Sequence, residues 1–208
     1  MPCACLSALF QTVMLVVLGL GSNKSLGSID SIHLLARACV MLSRELAGLA
    51  FSSVYRTRPM YVESQADFYN MIVCGETNRS PFELLEVIHS IEAALGRDRA
   101  KEIRNGERTI DIDIELFGSE EIHSSDGLNP MRDLDIPHPR ICERPFVLIP
   151  LLEILPESAE IQKKDFFESA LSRVGTQGGC HGRHPRRLCE NHRGNGDALW
   201  KSRTERFR

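Results

Sequence analysis

An α+β fold, with helices packed on a largely antiparallel sheet in a ferredoxin-like split βαβ arrangement, is what this 208-residue sequence predicts. Three observations carry that expectation. Residues 13–18 form an unbroken apolar run. Two stretches with helical spacing each follow a strand-like stretch. Residues 109–117 alternate apolar and polar side chains, the pattern of a half-buried strand. In chain order the elements read β-α-β-β-α-β up to residue 117.

The first strand, at 13–18, ends at Gly19-Leu20-Gly21-Ser22-Asn23, which reads as a strand-to-helix turn. From 27 to 46, Ile29, Ile32, Leu35, Cys39, Leu42 and Leu46 recur every three or four residues and mark one face of a helix closed by Gly48. Aromatic and β-branched residues over 51–56 predict a second strand, ended by a loop at Pro59, and 68–77 predicts a third. Ser80-Pro81-Phe82-Glu83 combines an N-cap, a first-turn proline and a capping-box glutamate, so a helix should run to Leu95 and stop at Gly96. The charged 97–106 connection is expected to be mobile. The strand at 109–117 should turn at Gly118-Ser119 toward a short partner near 121–123. Helices are expected from about 144 or 145 to 155 and, more weakly, over 165–173.

Composition sets the boundaries. Hydrophobic residues make up 42% and charged residues 25%, so a packed core is available. Beyond residue 174 the chain changes: six of its fifteen glycines and eight Lys/Arg against three Asp/Glu fall there, too little apolar surface to order a core. Residues 13–174 are therefore read as the domain, 175–208 as a basic, disordered tail, and 1–12 as an N-terminal extension. That extension has no Lys or Arg before Lys24, and its apolar run is too short to span a bilayer, so a cytoplasmic protein without a membrane role is expected. Seven cysteines without a tight framework suit a reducing compartment. The acidic body does not provide a nucleic-acid footprint. Cys180, His184, Cys189 and His192 match no common zinc-finger spacing.

The chemistry concentrates on Asp111 and Asp113. Residues i and i+2 of a strand share a face about 6.5 to 7 Å apart, close enough for two carboxylates to bridge hard cations such as Mg²⁺. A solvated acidic face is the plainer alternative. Arg97, Arg99, Lys101, Arg104 and Arg108 place cations beside the pair, a combination that suits a metal-bridged polyphosphate.

The run Arg104-Asn105-Gly106-Glu107-Arg108-Thr109-Ile110-Asp111-Ile112-Asp113-Ile114 resembles the signature of the 6-hydroxymethyl-7,8-dihydropterin pyrophosphokinase family. Gly19 to Asn23, Ser52 to Thr57, Asp67 to Asn70, Ile136-Pro137-His138 and Arg144-Pro145-Phe146 agree with it in order, so the resemblance covers roughly residues 14–156. It implies transfer of pyrophosphate from ATP to the pterin's hydroxymethyl group, with release of AMP, in folate biosynthesis. Asp111 and Asp113 match ligands of two Mg²⁺ ions. Arg97 and Arg108 match catalytic guanidinium groups; Glu92, Arg99, His138 and Arg144 match the ATP side. Phe68 and Phe146 match a pair that stacks on the pterin, Asn70 an amide that reads its edge, and Thr57 and Met60 other positions of that pocket.

Some positions depart from the family pattern. The 97–106 loop is one residue longer than in familiar members, Asn105 stands where an aromatic residue can occur, Arg58 precedes Pro59, Pro139 follows His138, and Glu115 replaces an apolar residue on the face of Asp111 and Asp113. Another Mg-dependent nucleotidyl or phosphoryl transferase, or a pterin- or nucleotide-binding module without turnover, are the alternatives. A monomer whose partners are ATP and the pterin is expected.

Overall fold

The computed structural model describes residues 13–59, 64–103, 106–125, 127, 129–155, 161–175 and 180–183. Eight strands and four α-helices follow one another as β1 (Met14–Ser22), α1 (Ser31–Leu42), β2 (Ala47–Phe51), β3 (Tyr55–Thr57), β4 (Phe68–Thr77), α2 (Pro81–Ala94), β5 (Asp111–Phe117), β6 (Ile122–Ser124), β7 (Leu134–Ile136), α3 (Pro145–Ile154), α4 (Ile161–Val174) and β8 (Cys180–Arg183). The main sheet runs β5-β1-β4-β3-β8, with β2 also on β4, and every pairing in it is antiparallel. β1 and β2 are thus joined through α1 with β4 inserted between them, and β4 and β5 through α2 with β1 inserted. These are the two split βαβ units the sequence predicts.

Local chemistry starts both helices of the first layer. Asp30 caps α1 by accepting the His33 N–H at 2.9 Å. At α2 the capping box is complete: Ser80 Oγ accepts the Glu83 N–H, and the Ser80 N–H donates to Glu83 Oε2 at 2.7 Å. Their apolar stripes, including Leu34, Leu35, Ala38, Leu84 and Ile88, pack on Val16, Leu18, Leu20, Met71 and Val73. The opposite face of the sheet, with Val17, Ile72 and Cys74, is covered by Ile141, Val147, Leu148, Leu151, Phe167 and Ala170. The sheet therefore lies between two helical layers, the second of which carries the site described below.

Several expectations need correction. Gly19 and Gly21 lie inside β1 rather than in a turn. Gly48 does not close α1, which ends at Leu42; it sits in β2 with φ 59°, where the register with β4 shifts. The strand expected at 51–56 is broken because Ser52 enters the ladder with its side chain: its Oγ accepts the Ile72 N–H at 2.9 Å. Residues 122–124 pair with β7, not with β5. Alternation in β5 fails at Glu115, where a bulge opposite Val17 and Leu18 sends Leu116 to the α3 side and Phe117 to the α1 side. α4 is longer than expected, and within the tail residues 180–183 form a strand on β3 instead of being disordered. Residues 1–12 and 184–208, with His184, Cys189 and His192, lie outside the described residues. Among the described residues no helix is long and apolar enough to cross a membrane.

Candidate active site

A pocket of about 280 Å³ opens on the α3 side of the sheet. Its floor is made by Gly19 and Gly21 of β1, Asn70 and Ile72 of β4, and Asp111, Asp113 and Glu115 of β5. The two glycines are required by close approach. A Cβ on Gly19 would stand 2.8 Å from Glu115 Oε1, and one on Gly21 would stand 2.9 Å from Asn70 Oδ1. Side chains from neighbouring strands thus fill the space that β1 leaves.

One end of the pocket is flat and apolar. Phe68 at the start of β4 and Phe146 in the first turn of α3 both line it and are half-buried. Asn70 Nδ2 donates to Thr57 Oγ1 at 2.7 Å, fixing a buried amide that also lines the pocket. Arg58 and Gln65 also line the pocket, a place that nothing in the sequence suggested for either. Met60 lies outside the described residues.

The other end is ionic. Asp111 accepts from two guanidinium groups: Arg97 Nη1 lies 2.5 Å from Oδ1 and Arg108 Nη1 lies 2.5 Å from Oδ2. Burial alone would raise this carboxyl, but Arg108 and Arg97 outweigh it and hold Asp111 below the usual carboxylate range. Asp113 has only Arg144, at 3.5 Å. Burial and the neighbouring Asp111 push it up, although its side chain is 41% open to the pocket and solvent tempers the push. The two carboxylates share a strand face but not an environment.

Arg108 owes its position to the end of β1. Asn23 Oδ1 accepts the Arg108 N–H at 2.8 Å, the Asn23 and Lys24 N–H groups donate to the Arg108 carbonyl, and Ser22 Oγ donates to the Thr109 carbonyl at 2.6 Å. Asn23 Nδ2 also donates to the Ala66 carbonyl at 3.1 Å. This one side chain ties β1, the segment before β4 and the segment before β5, a role missed from sequence. The only signal was a small polar residue after an apolar strand, which fits any turn.

Glu92, Arg97 and Arg99 stand behind the pocket rather than in it. The Glu92 side chain is 0% exposed, and its Oε1 accepts the Ile112 N–H at 2.9 Å and Arg97 Nη1 at 2.5 Å while Oε2 accepts Arg99 Nη2 at 2.6 Å. Arg97 is 4% exposed and is also held by Glu102 through Nε and Nη2. Burial would lower the Arg97 pKa, but Asp111, Glu102 and Glu92 raise it, so the guanidinium is firmly charged. Glu92 is therefore placed as the anchor of two arginines, without contact with the pocket.

His138 lines the pocket beside Arg144, and its N–H donates to the Glu115 carbonyl at 3.0 Å. Burial, with Arg144 and Arg140, lowers it to about 4, and its Nδ1 accepts the Arg140 N–H, which leaves the ring neutral with its proton on Nε2. Arg144 also lies over Phe146, 5.7 Å from the ring centroid. The pocket therefore offers an aromatic slot with an amide, two carboxylates with unequal partners, and a margin of guanidinium and imidazole donors. That arrangement can seat a flat heterocycle beside a cation-bridged polyphosphate.

The family model described as 7,8-dihydro-6-hydroxymethylpterin-pyrophosphokinase matches residues 17–156. A 2-amino-4-hydroxy-6-hydroxymethyldihydropteridine pyrophosphokinase from Bacillus subtilis is 50% identical over 103 residues, covering 50% of this chain and 56% of that protein. One of the same name from Haemophilus influenzae is 36% identical over 137 residues, 66% of this chain and 79% of that protein. Among solved structures, a Plasmodium falciparum HPPK-DHPS chain shares the fold at a TM-score of 0.58 and 16% identity, over 80% of this chain and 47% of that one.

Proposed function

This chain belongs to the 7,8-dihydro-6-hydroxymethylpterin-pyrophosphokinase family, and on that premise we propose that it transfers pyrophosphate from ATP to the hydroxymethyl group of 6-hydroxymethyl-7,8-dihydropterin. The hydroxymethyl oxygen loses its proton to water and forms a bond to the β-phosphorus, the bond between that phosphorus and the oxygen bridging to the α-phosphate breaks, and AMP leaves. The products are the pterin diphosphate and AMP, in folate biosynthesis. The observation that carries this reading is that one pocket is lined both by Phe68, Asn70 and Phe146 and by the Asp111–Asp113 pair with Arg108 and Arg144.

Each group acts on its own part of the substrates. Phe68 and Phe146 take the pterin faces, Asn70 and Thr57 its edge, so the hydroxymethyl group points toward β5. Arg108, Arg144 and His138 donate to phosphate oxygens where charge gathers as the bridge breaks, a contribution of the kind often worth 10² to 10³ in rate, by order of magnitude. Arg97 and Arg99 would reach the nucleotide only by leaving Glu92 and Glu102. The donor set fits Mg²⁺: two carboxylates on one strand face, one of them lightly paired, with room for water and phosphate oxygens. When bound there, Mg²⁺ neutralises phosphate charge and aligns the reacting oxygens. The reading takes the protein to be a monomer in the cytoplasm.

The test is AMP formation from ATP and Mg²⁺ with and without the pterin, with mass detection of the pterin product. Pterin-dependent AMP and a pyrophosphorylated pterin are expected. AMP formed without pterin would point to another transferase, and pterin binding without AMP to a module that does not turn over.

A further inference from the structure

Among the described residues, Glu115 is the acidic floor residue with a buried carboxylate oxygen that no hydrogen bond reaches. Its side chain is 1% exposed, it lines the pocket, and its Oε2 accepts no hydrogen bond. A buried acceptor left unsatisfied is costly, more so if charged, so its retention calls for a partner that arrives from the pocket. His138 is not that partner, since its Nδ1 lies 4.0 Å away and already accepts the Arg140 N–H. Arg144 is directed to Asp113. Gly19 makes the arrangement possible: a Cβ there would meet Oε1, Cγ and Cδ of Glu115 at 2.8, 3.3 and 3.5 Å.

The arriving partner must donate hydrogen bonds and tolerate negative neighbours. Among the described residues no group of three His, Cys, Asp or Glu side chains is gathered closely enough to hold an ion directly. Glu115 is nonetheless two residues from Asp113 on the same side of β5. A Mg²⁺–oxygen bond of about 2.1 Å plus a hydrogen bond of about 2.7 Å reaches a carboxylate at that remove through one coordinated water. Building on the metal role read for Asp113 above, we propose that Glu115 is an outer-sphere ligand of the cation that Asp113 holds, its free oxygen accepting a hydrogen bond from a water on that ion. Outer-sphere partners of this kind orient the coordinated groups and tune affinity.

The experiment uses Mn²⁺ titrated into the full chain in the presence of α,β-methylene-ATP, which cannot be split at the reacting bond, with water-proton relaxation reporting the protein-bound ion. Glu115→Gln keeps shape and should weaken Mn²⁺ about 10-fold. Gly19→Ala, which must displace the carboxyl, should do the same, and the double variant should lose no more than either alone. Circular dichroism checks that each variant folds, and Glu115→Gln decides the matter if Gly19→Ala does not. Unchanged Mn²⁺ affinity in folded Glu115→Gln, with binding abolished by Asp113→Ala, overturns this inference alone. No Mn²⁺ on the wild type, or binding that survives Asp113→Ala, overturns it together with the metal role of Asp113.

Discussion

Arg97 Nη1 lies 2.5 Å from Asp111 Oδ1 and 2.5 Å from Glu92 Oε1, so one guanidinium edge joins the floor of the pocket to the buried end of α2. With Glu102 on its other edge, Arg97 is shared by three carboxylates. A polyphosphate recruiting Arg97 has to displace at least one of them. The knot thus links ligand capture to the 97–106 connection.

The two aspartates should separate in stability although both are needed for turnover. Asp111→Ala leaves Arg97 and Arg108 each short of a partner and should lower the unfolding temperature. Asp113→Ala removes a carboxylate that burial and Asp111 disfavour, and should leave that temperature unchanged or raise it. Both should lower kcat by about 10³-fold or more. Thermal unfolding alongside AMP release checks this, and an active form of either variant would remove the metal role.

Glu92→Gln should weaken the fold. The substitution removes charge-assisted hydrogen bonds to two arginines, but Arg97 keeps Asp111 and Glu102 and Arg99 is partly exposed, so a loss of about 1.5–3 kcal/mol is expected. Chemical denaturation reads the loss. A variant as stable as wild type would show that Arg97 and Arg99 draw little on Glu92.

Much of this was legible in the chain. Elements with a strong local signal, such as the capping box at Ser80 and the apolar stripe of α1, fell where expected because propensity and packing agree there. The same holds for the pocket residues on β4 and β5, whose period of two places Asp111 and Asp113 together. What escaped depends on partners distant in sequence. Gly19 and Gly21 look like turn residues until Glu115 and Asn70 are seen to occupy their missing side chains. Ser52 breaks a strand only because Ile72 faces it. The hold of Glu92 on Arg97 and Arg99 was not legible either, because these partners lie five and seven residues on, in a segment without regular periodicity.

Pterin binding should depend on the aromatic slot and not on the ionic end. Phe68→Ala and Phe146→Ala each remove a stacking surface, and aromatic contacts are worth about 0.5–1.5 kcal/mol beyond area burial, so roughly 10-fold weaker pterin binding is expected. Nucleotide affinity should hold for Phe68→Ala. For Phe146→Ala it should fall slightly, since Arg144 rests on that ring. Fluorescence titration with each ligand distinguishes the two.

Stability without metal should fall as pH rises through neutrality. Burial, with Asp113 nearby, raises Glu115 from 4.5 to about 8. The folded state therefore holds a proton that the unfolded state has lost between those values, and stability declines with pH across that window. His138, lowered to about 4, acts oppositely below the ordinary histidine value of 6.5, where the unfolded state binds the extra proton. Above 6.5 only the raised carboxyls of Glu115 and Asp113 remain, and both lower stability as pH rises. Urea midpoints at pH 6.5 and 8 should show this drop in the wild type and a smaller one in Glu115→Gln. A flat wild-type profile would place Glu115 in an ordinary ionised state.

The C-terminal strand makes the sharpest departure from what composition predicts. A Gly- and Arg-rich segment lacks the apolar surface to order itself, but β3 supplies an edge, and a strand added there needs only backbone groups. β3 is three residues long and carries Thr57, which lines the pocket and receives the Asn70 amide. Ending the chain at Gly175 keeps α4 and both cores but exposes the N–H and C=O groups of β3 on that side. The Thr57–Asn70 contact then rests on an edge strand held by β4 alone. Composition alone predicts full activity for this truncation. The pairing with β3 predicts a several-fold higher KM for the pterin, little change in KM for ATP, and a kcat within about twofold of wild type, because among the described strands β8 pairs with β3 alone. Steady-state kinetics on the two chain lengths decides between them, and an unchanged pterin KM would show that β3 needs no outer neighbour.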